Sequence, residues 1–370
     1  MLNSRTIENT IVREIRLANA TSRVQLAKQL GIAPSTMGIQ IDRLVEQGIL
    51  KESVPEEWGL GRPPKLLEPN PTAGQFIGVD FDARRLHAVS VDFSQQLLKQ
   101  HSRDLPSQAK AADVILQIQE VIREVRFRGR KLLGIGLAIP GTLDEEATTG
   151  LHYRFISDWT NLPLKRIVQG AFRVPVYLEN NVRVMAMAER WFGQARNIQN
   201  FICIGIRSGI GAGIFLNGEL YRGSGGLAGE IGTWPVCDSS LNKKIQESIP
   251  LEDIASLRAI LETLNTSVDG LLESAEKCDS SVLKILKIAA CAVGRVISQI
   301  SLMLNPQRIV IGGPLAELEE AFMSPLCEEV QRCLNQQSGL LPEIVSTQLG
   351  ELAGAKGAAA LSLHRWELKV

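Results

Sequence analysis

Five apolar runs, each closing on a turn, constrain this chain more than any other feature. They are FIGVDF, GIGLAIPGTLD, VPVYLEN, NFICIGIRSG and RIVIGGPL. The first continues as FIGVDFDARRLHAVSVDF, which alternates as a hairpin does, and the fourth continues into GIGAGIFLNG. Between these strands lie helical stretches: AADVILQIQEVIREVRF, VRVMAMAERWFG and SVLKILKIAACAVGRVISQISLMLN. Strands alternating with helices imply an α/β architecture. With 370 residues, 45% of them apolar and 22% charged, the chain can build two or three domains around a sizeable core.

The first seventy residues follow a different pattern. Ile7, Ile11 and Ile15 recur every four residues and mark one face of a helix. A second helix begins at TSRVQLAKQLG, where Ser22 and Gln25 have capping-box spacing and Gly31 is the stop. Pro34 suits the first turn of a third helix, STMGIQIDRLVEQG, with Met37, Ile41 and Leu44 inward. Next, ILKES and KLLEP read as two strands around a charged, Gly/Pro-rich tip. Three helices and a wing, in that order, make a winged helix-turn-helix that fits a DNA major groove. The alternative is a small helical interaction domain.

If the segment binds duplex DNA, Ser35, Thr36 and Gln40 on the third helix are the candidate base or phosphate contacts. Arg62 and Lys65 belong to the wing. Gly-Arg-Pro presents Arg62 on a stiff backbone suited to a narrow A·T-rich minor groove, or simply to a phosphate. Residues 1–70 hold nine Lys/Arg and eight Asp/Glu, a net charge of +1. So small a charge implies weak binding by one copy, and hence a homodimer or homotetramer on two half-sites.

The whole chain has a formal net charge of zero, so composition gives no support for nucleic-acid binding beyond a local surface. Its six cysteines form no C-x-x-C pair, and reduced, mostly buried thiols are expected. No apolar run approaches the ~18–20 residues that span a bilayer. The N-terminal MLNSRTIENTIVREIR has no signal-peptide core. A cytoplasmic protein without a membrane partner is expected.

Residues 209–232, GIGAGIFLNGELYRGSGGLAGEIG, together with IGLAIPGTLD, VYLEN, LEDIAS, IVIGGP and LAGAKGAAALSL, resemble the ROK family of bacterial sugar kinases and sugar-responsive repressors. The resemblance covers nearly the whole chain, and the winged N-terminus looks like the repressor branch. It implies two actin-like (ribonuclease H-like) lobes with a sugar cleft between them. The expected division is a DNA-binding domain over 1–70, a first lobe over 71–193 and a second over 194–354, with a C-terminal helix at 355–370 returning to the first.

The departures from the family pattern concern chemistry. The family's phosphate-binding turn, D-x-G-G-T, matches Asp80, Phe81, Asp82, Ala83 and Arg84 here. Asp82 then puts negative charge where an anion would sit. The family's kinases read E-N-D where this chain reads Glu179, Asn180, Asn181. Their Asp is the general base, and an amide at Asn181 has no basicity near neutral pH. Asn180, Asn181, Glu230, Thr233 and Glu252 match sugar-contacting positions. Taken without the resemblance, Glu230 reads as a turn acid and Glu252 as a helix N-terminal charge. The family's His, which also binds a structural zinc with three cysteines, is Thr233 here. The other ligand slots hold Lys243, Ile245 and Pro250, so no metal and no cofactor is expected. GIGAG is a weak nucleotide signal that reads equally well as a tight hairpin.

These features imply a transcriptional regulator that binds an operator and senses a sugar in a catalytically inactive cleft. The rivals are a DNA-binding protein whose body only dimerises, and an active ROK sugar kinase.

Overall fold

The computed structural model describes residues 4–18, 21–54, 65–82, 84–106, 109–153, 156–236, 249–334, 339 and 341–368. Three helices open it: α1 (Ser4–Ala18), α2 (Arg23–Leu30) and α3 (Pro34–Glu46). Ser22 caps α2 in a reciprocal capping box with Gln25, and Gly31 ends it with φ 64°. Ile11, Ile15, Leu26, Met37, Ile41 and Leu44 are at most 1% exposed and form the inner face that the apolar spacing requires. Strands β1 (Thr21–Ser22), β2 (Leu50–Ser53) and β3 (Leu66–Pro69) pair antiparallel in the order β1-β3-β2. The wing therefore has a third strand that is only two residues long. The wing's tip, with Arg62, lies outside the described residues.

Two five-stranded sheets of the same connectivity follow. In the first, β4 (Gln75–Phe81), β5 (Arg85–Asp92) and β6 (Leu97–Asp104) run antiparallel, helix α4 (Ala111–Val125) crosses over, and β7 (Leu132–Ile139) pairs parallel with β4. A small three-stranded sheet, β8 (Thr142–Leu143), β9 (Gly150–His152) and β10 (Thr160–Leu162), precedes α5 (Leu164–Phe172). Strand β11 (Val176–Asn180) then completes the order β11-β7-β4-β5-β6 and leads straight into α6 (Asn181–Phe192).

The second sheet repeats the plan with β12 (Phe201–Ile206), β13 (Ile210–Leu216) and β14 (Glu219–Tyr221). The two-stranded ribbon of β15 (Pro235–Val236) and β16 (Ile249–Pro250) is followed by α7 (Leu251–Ala255), α8 (Leu257–Leu264), α9 (Val268–Glu276) and α10 (Ser280–Leu304). Strand β17 (Arg308–Gly312) pairs parallel with β12, and after α11 (Ser324–Leu334) so does β18 (Glu343–Ser346) with β17. In the GIGAG stretch Gly209 closes the tight turn at 207–209 and the remaining residues, from Ile210 on, are strand.

Helix α12 (Ala353–His364) packs with α6 between the two sheets. Glycine makes this possible on both sides. A Cβ at Gly78 or Gly136 would collide with the backbone of Ala355, Ala359 or Ala358 in α12, and one at Gly213 with Ala186 of α6. The small-residue sequence GAKGAAALSL thus lets a helix lie close on strands β4 and β7.

The helical head is not held by a loose linker. Its core runs without a break into Phe76, Val89, Val91, Phe93, Ala355, Ala359 and Leu363 of the body. Arg16 of α1 fastens this join. Only 5% exposed, it donates from Nη1 to the Leu363 carbonyl at 2.8 Å and lies 4.1 Å from the Phe93 ring centre and 5.2 Å from that of Trp366. Burial pulls its pKa down to about 9.

Two expectations need correction. Of the five described cysteines only Cys203 is buried; Cys278 and Cys333 are exposed, and all five are free. Among the described residues α10 is long and apolar enough to cross a membrane, contrary to the reading of apolar runs. Its Leu286, Val293 and Ile297 instead lie in the second lobe's core, at 0–1% exposure.

Candidate functional site

The cleft opens at the carboxyl ends of β4, β7 and β11, where open α/β sheets place their ligands. Asn180 ends β11 and caps α6. Its Oδ1 accepts from the Val182 and Arg183 amides at 3.0 and 3.3 Å, and its Nδ2 donates to the Gly141 carbonyl at 3.2 Å. One amide hydrogen of Asn180 is left for a ligand. Asn181 follows as the first residue of α6, half-buried.

Beside Asn180 lies a network that sequence reasoning missed. Glu179, 2% exposed, sits between two guanidinium groups. Arg222 donates Nε and Nη2 to its Oε2 at 2.8 and 2.5 Å, and Arg183 reaches its Oε1 at 3.4 Å. Arg183 also donates to the Gly226 and Ala228 carbonyls, tying the glycine-rich loop to α6. The i,i+4 spacing of Glu179 and Arg183 was the available signal.

Gly141, Asp144, Glu145, Asn180, Arg183, Arg222 and Glu230 are among the residues lining a cavity of about 40 Å³. Small-molecule pockets are typically ~300–1,000 Å³. In this structure the cavity is therefore smaller than such a pocket. Of the five sugar candidates, the structure brings Asn180 and Glu230 to this cavity, and Asn181, Thr233 and Glu252 do not line it. Burial raises the Glu230 carboxyl, Arg183 opposes the rise and Glu252 adds to it. Thr233 turns its hydroxyl onto the Glu230 carbonyl at 2.9 Å. Glu252 stands in the first turn of α7 against Gly232 and Gly209.

The turn after β4 is closed by its own side chain. Asp82 Oδ1 accepts from the Arg84 and Arg85 amides at 2.8 and 3.0 Å, donors that an undecorated turn would offer to an anion. Arg207, from the turn after β12 in the other lobe, donates to both oxygens of Asp80 at 3.3 and 3.0 Å and pairs with Asp82 at 3.5 Å. Asp80 is 1% exposed, and burial raises its pKa to about 6 against the pull of Arg207. For Arg207, burial works against the charge, but Asp80 and Asp82 hold its pKa above the usual range. This clasp joins the two lobes across the cleft.

Among the four slots of the family's zinc site, Thr233 and Pro250 are described and Lys243 and Ile245 lie outside the described residues. Pro250 pairs with Pro235 in the β15–β16 ribbon, which closes the ends of that loop.

On the head, Ser35 is exposed and Thr36 half-buried on α3. Gln40 is not presented to a groove: it is 7% exposed, on the same inward face as Met37 and Leu44, because it falls three residues after Met37 and four before Leu44. Lys65 donates to Glu52 at 2.6 Å.

A winged helix-turn-helix packed onto a two-lobed ribonuclease H-like body defines the class of protein. A family profile described as the ROK family matches residues 76–365, and the chain belongs to that family. It is 26% identical over 367 residues to the xylose repressor of Bacillus subtilis (strain 168), spanning 97% of this chain and 95% of that protein. Among solved structures, a ROK family transcriptional regulator that is a homolog of the E. coli MLC protein superposes with a TM-score of 0.78 at 21% identity, covering 98% of this chain and 96% of that one. A ROK glucokinase from Streptomyces griseus, solved with glucose and AMPPNP, superposes with a TM-score of 0.68 at 26% identity, covering 78% of this chain and 99% of that one. The glucokinase match thus takes in nearly the whole of that kinase but about four fifths of this chain, whereas the regulator match takes in nearly all of both.

Proposed function

We propose that the protein is a transcriptional repressor of sugar metabolism that binds an operator duplex through its winged helix and senses a sugar in a cleft that does not phosphorylate it. The observation that carries this reading is the full-length match to a repressor, head included. The head supplies the DNA surface, with Ser35, Thr36, Lys65 and Arg62 as its contacts. Asn180 and Glu230 supply the first hydrogen bonds to a sugar in the cleft. Asn181 and Glu252 join them once the 222–230 loop has opened, while Thr233 stays on the loop's own backbone. A homodimer on a two-fold operator compensates for the small net charge of each head.

Two features support a sensor without kinase activity. Asn181 cannot remove a proton from a sugar hydroxyl. Asp82 takes for itself the amides that would meet a phosphate. The closed cavity favours a second reading, in which the body only dimerises and the cleft is a relic. One experiment separates them. Operator duplexes are selected from a random-sequence pool with the full-length protein, and binding is titrated against a panel of pentoses, hexoses and amino sugars. The sensor reading expects one sugar to change operator affinity, with no ATP consumed. A Glu230→Ala variant should keep its DNA affinity and lose about 10- to 100-fold in sugar affinity, the cost of a charged hydrogen-bond partner. Operator binding that no sugar alters supports the dimeriser. ATP-dependent turnover abolished by Asn181→Ala supports a kinase.

A further inference from the structure

The outward face of α3 carries an isoleucine where a polar base reader is expected. Ile39 is 56% exposed, one turn beyond Ser35 on the same face. Gly38 lies beside it, and a Cβ there would meet no atom within 4 Å. Gln40, the amide suited to adenine, is buried, and Asp42 on the next outward turn is held by Arg23 at 2.7 Å. The first two outward turns thus offer hydroxyls, a bare backbone and one branched apolar chain.

The charges of the head strengthen the point. Arg23 pairs with Asp42 and Glu52, Lys65 with Glu52, and Lys51 with Glu68. Cations tied to acids of their own domain contribute less to phosphate binding. Phosphate contacts position the helix without reading sequence, so discrimination draws on contacts at the base edges. In the major groove the one apolar feature is the thymine 5-methyl, and it is the partner for an apolar side chain. A lone exposed isoleucine on an ordinary surface means nothing. Here it stands on the exposed face of the helix that the repressor reading sets in the groove, with a glycine beside it whose side has open space.

We infer that Ile39 packs against a thymine methyl in the operator's major groove, with Gly38 giving the helix the close approach this needs. The inference rests on the repressor reading and adds a residue that sets its sequence preference. The test uses full-length protein and duplexes enriched from a random-sequence pool. Each thymine of the enriched site is replaced in turn by 2′-deoxyuridine, which removes only the methyl. Wild type should lose about fourfold in affinity at one thymine per half-site, the ~0.8 kcal/mol of one buried methyl-sized group. Ile39→Ala should bind that site more weakly and be indifferent to the same replacement. Gly38→Ala should fold at least as stably as wild type, since the space is open and alanine favours helix, yet bind the site more weakly. The inference is overturned if no thymine replacement matters, or if Ile39→Ala keeps the wild-type sensitivity. Failure to enrich any sequence would instead remove the repressor reading, and this inference with it.

Discussion

Replacing Arg207 with methionine should make the protein's stability depend on pH in a way that wild type does not. Asp80 is 1% exposed, and its pKa is raised from 3.8 to about 6 by burial, with Arg207 opposing the rise and Asp82 adding to it. A rise of that size means that the ionised carboxylate costs the folded state about 3 kcal/mol. Because the folded value lies above the unfolded one, this cost is absent below the unfolded pKa, grows between the two and is complete above about 6. In Arg207→Met the carboxyl loses its guanidinium and holds its proton to higher pH, so the cost goes on growing where wild type has levelled off. At pH 8 the variant should be less stable than wild type by the ~3–5 kcal/mol typical of removing one partner of a buried pair. At pH 5 both proteins hold Asp80 largely protonated, and most of the electrostatic difference disappears. Methionine keeps most of the aliphatic volume, so the packing loss is similar at both pH values. Urea unfolding at pH 5, 6.5 and 8 reads the difference, and Asp80→Asn in the Arg207→Met background should flatten it. An equal loss at pH 5 and pH 8 would refute the reasoning and make Arg207 a packing residue.

Other perturbations test the joins of the fold. Arg16→Ala should cost about 2–4 kcal/mol in thermal unfolding through lost packing on Phe93 and Trp366, whereas Arg16→Met, which loses the same buried charge and the same bond to the Leu363 carbonyl but keeps most of the packing, should stay within about 1.5 kcal/mol. Glu329, hydrogen-bonded by Arg332 and Arg295, is held down at about 2, so its stabilising effect is present above the unfolded pKa and lost as pH falls toward 2. Glu329→Gln should cost about 1–2 kcal/mol at pH 7, with Arg332 exposed and the pair screened accordingly, and the gap from wild type should narrow below about pH 4.5. Gly136→Ala should destabilise by more than about 2 kcal/mol, because the new methyl meets the Ala358 carbonyl of a helix that cannot retreat from the sheet.

How much of this was legible in the sequence depended on the range of the interaction. Ile7, Ile11 and Ile15, the Ser22–Gln25 box and Gly31 are local signals, and the head has the helices they imply. The hairpin of β4 and β5 and the long α10 were equally plain, since period and turn residues lie within one element. Gln40 failed because residue type was read without helical phase: three residues after Met37 and four before Leu44, it shares their inward face. Arg183 and Arg222 failed for another reason. Their partner Glu179 is 4 residues from one and 43 from the other, and only the approach of loop 222–229 to α6 brings the three together. Arg207 is the same case at a separation of 127 residues.

The parts read separately from sequence prove to be mechanically continuous. Helix α12 begins with Gly354 against the Asp80 carboxylate, on the first-lobe side of the clasp, and ends with the Leu363 carbonyl accepting from Arg16 of the head. Between those ends it lies on β4 and β7 with no room for a side chain at Gly78 or Gly136. Close-packed elements of this kind move as one body rather than bending along their length. The head thus shares a packed core with the first lobe and helix α12. The described contacts that oppose relative motion at the mouth of the cleft include the ion pairs of Arg207 with Asp80 and Asp82 and of Arg222 with Glu179, and the bonds of Arg183 to the Gly226 and Ala228 carbonyls. A change in the cleft angle would have to rearrange these contacts, and the join at Arg16 couples the head to the first lobe in such a change.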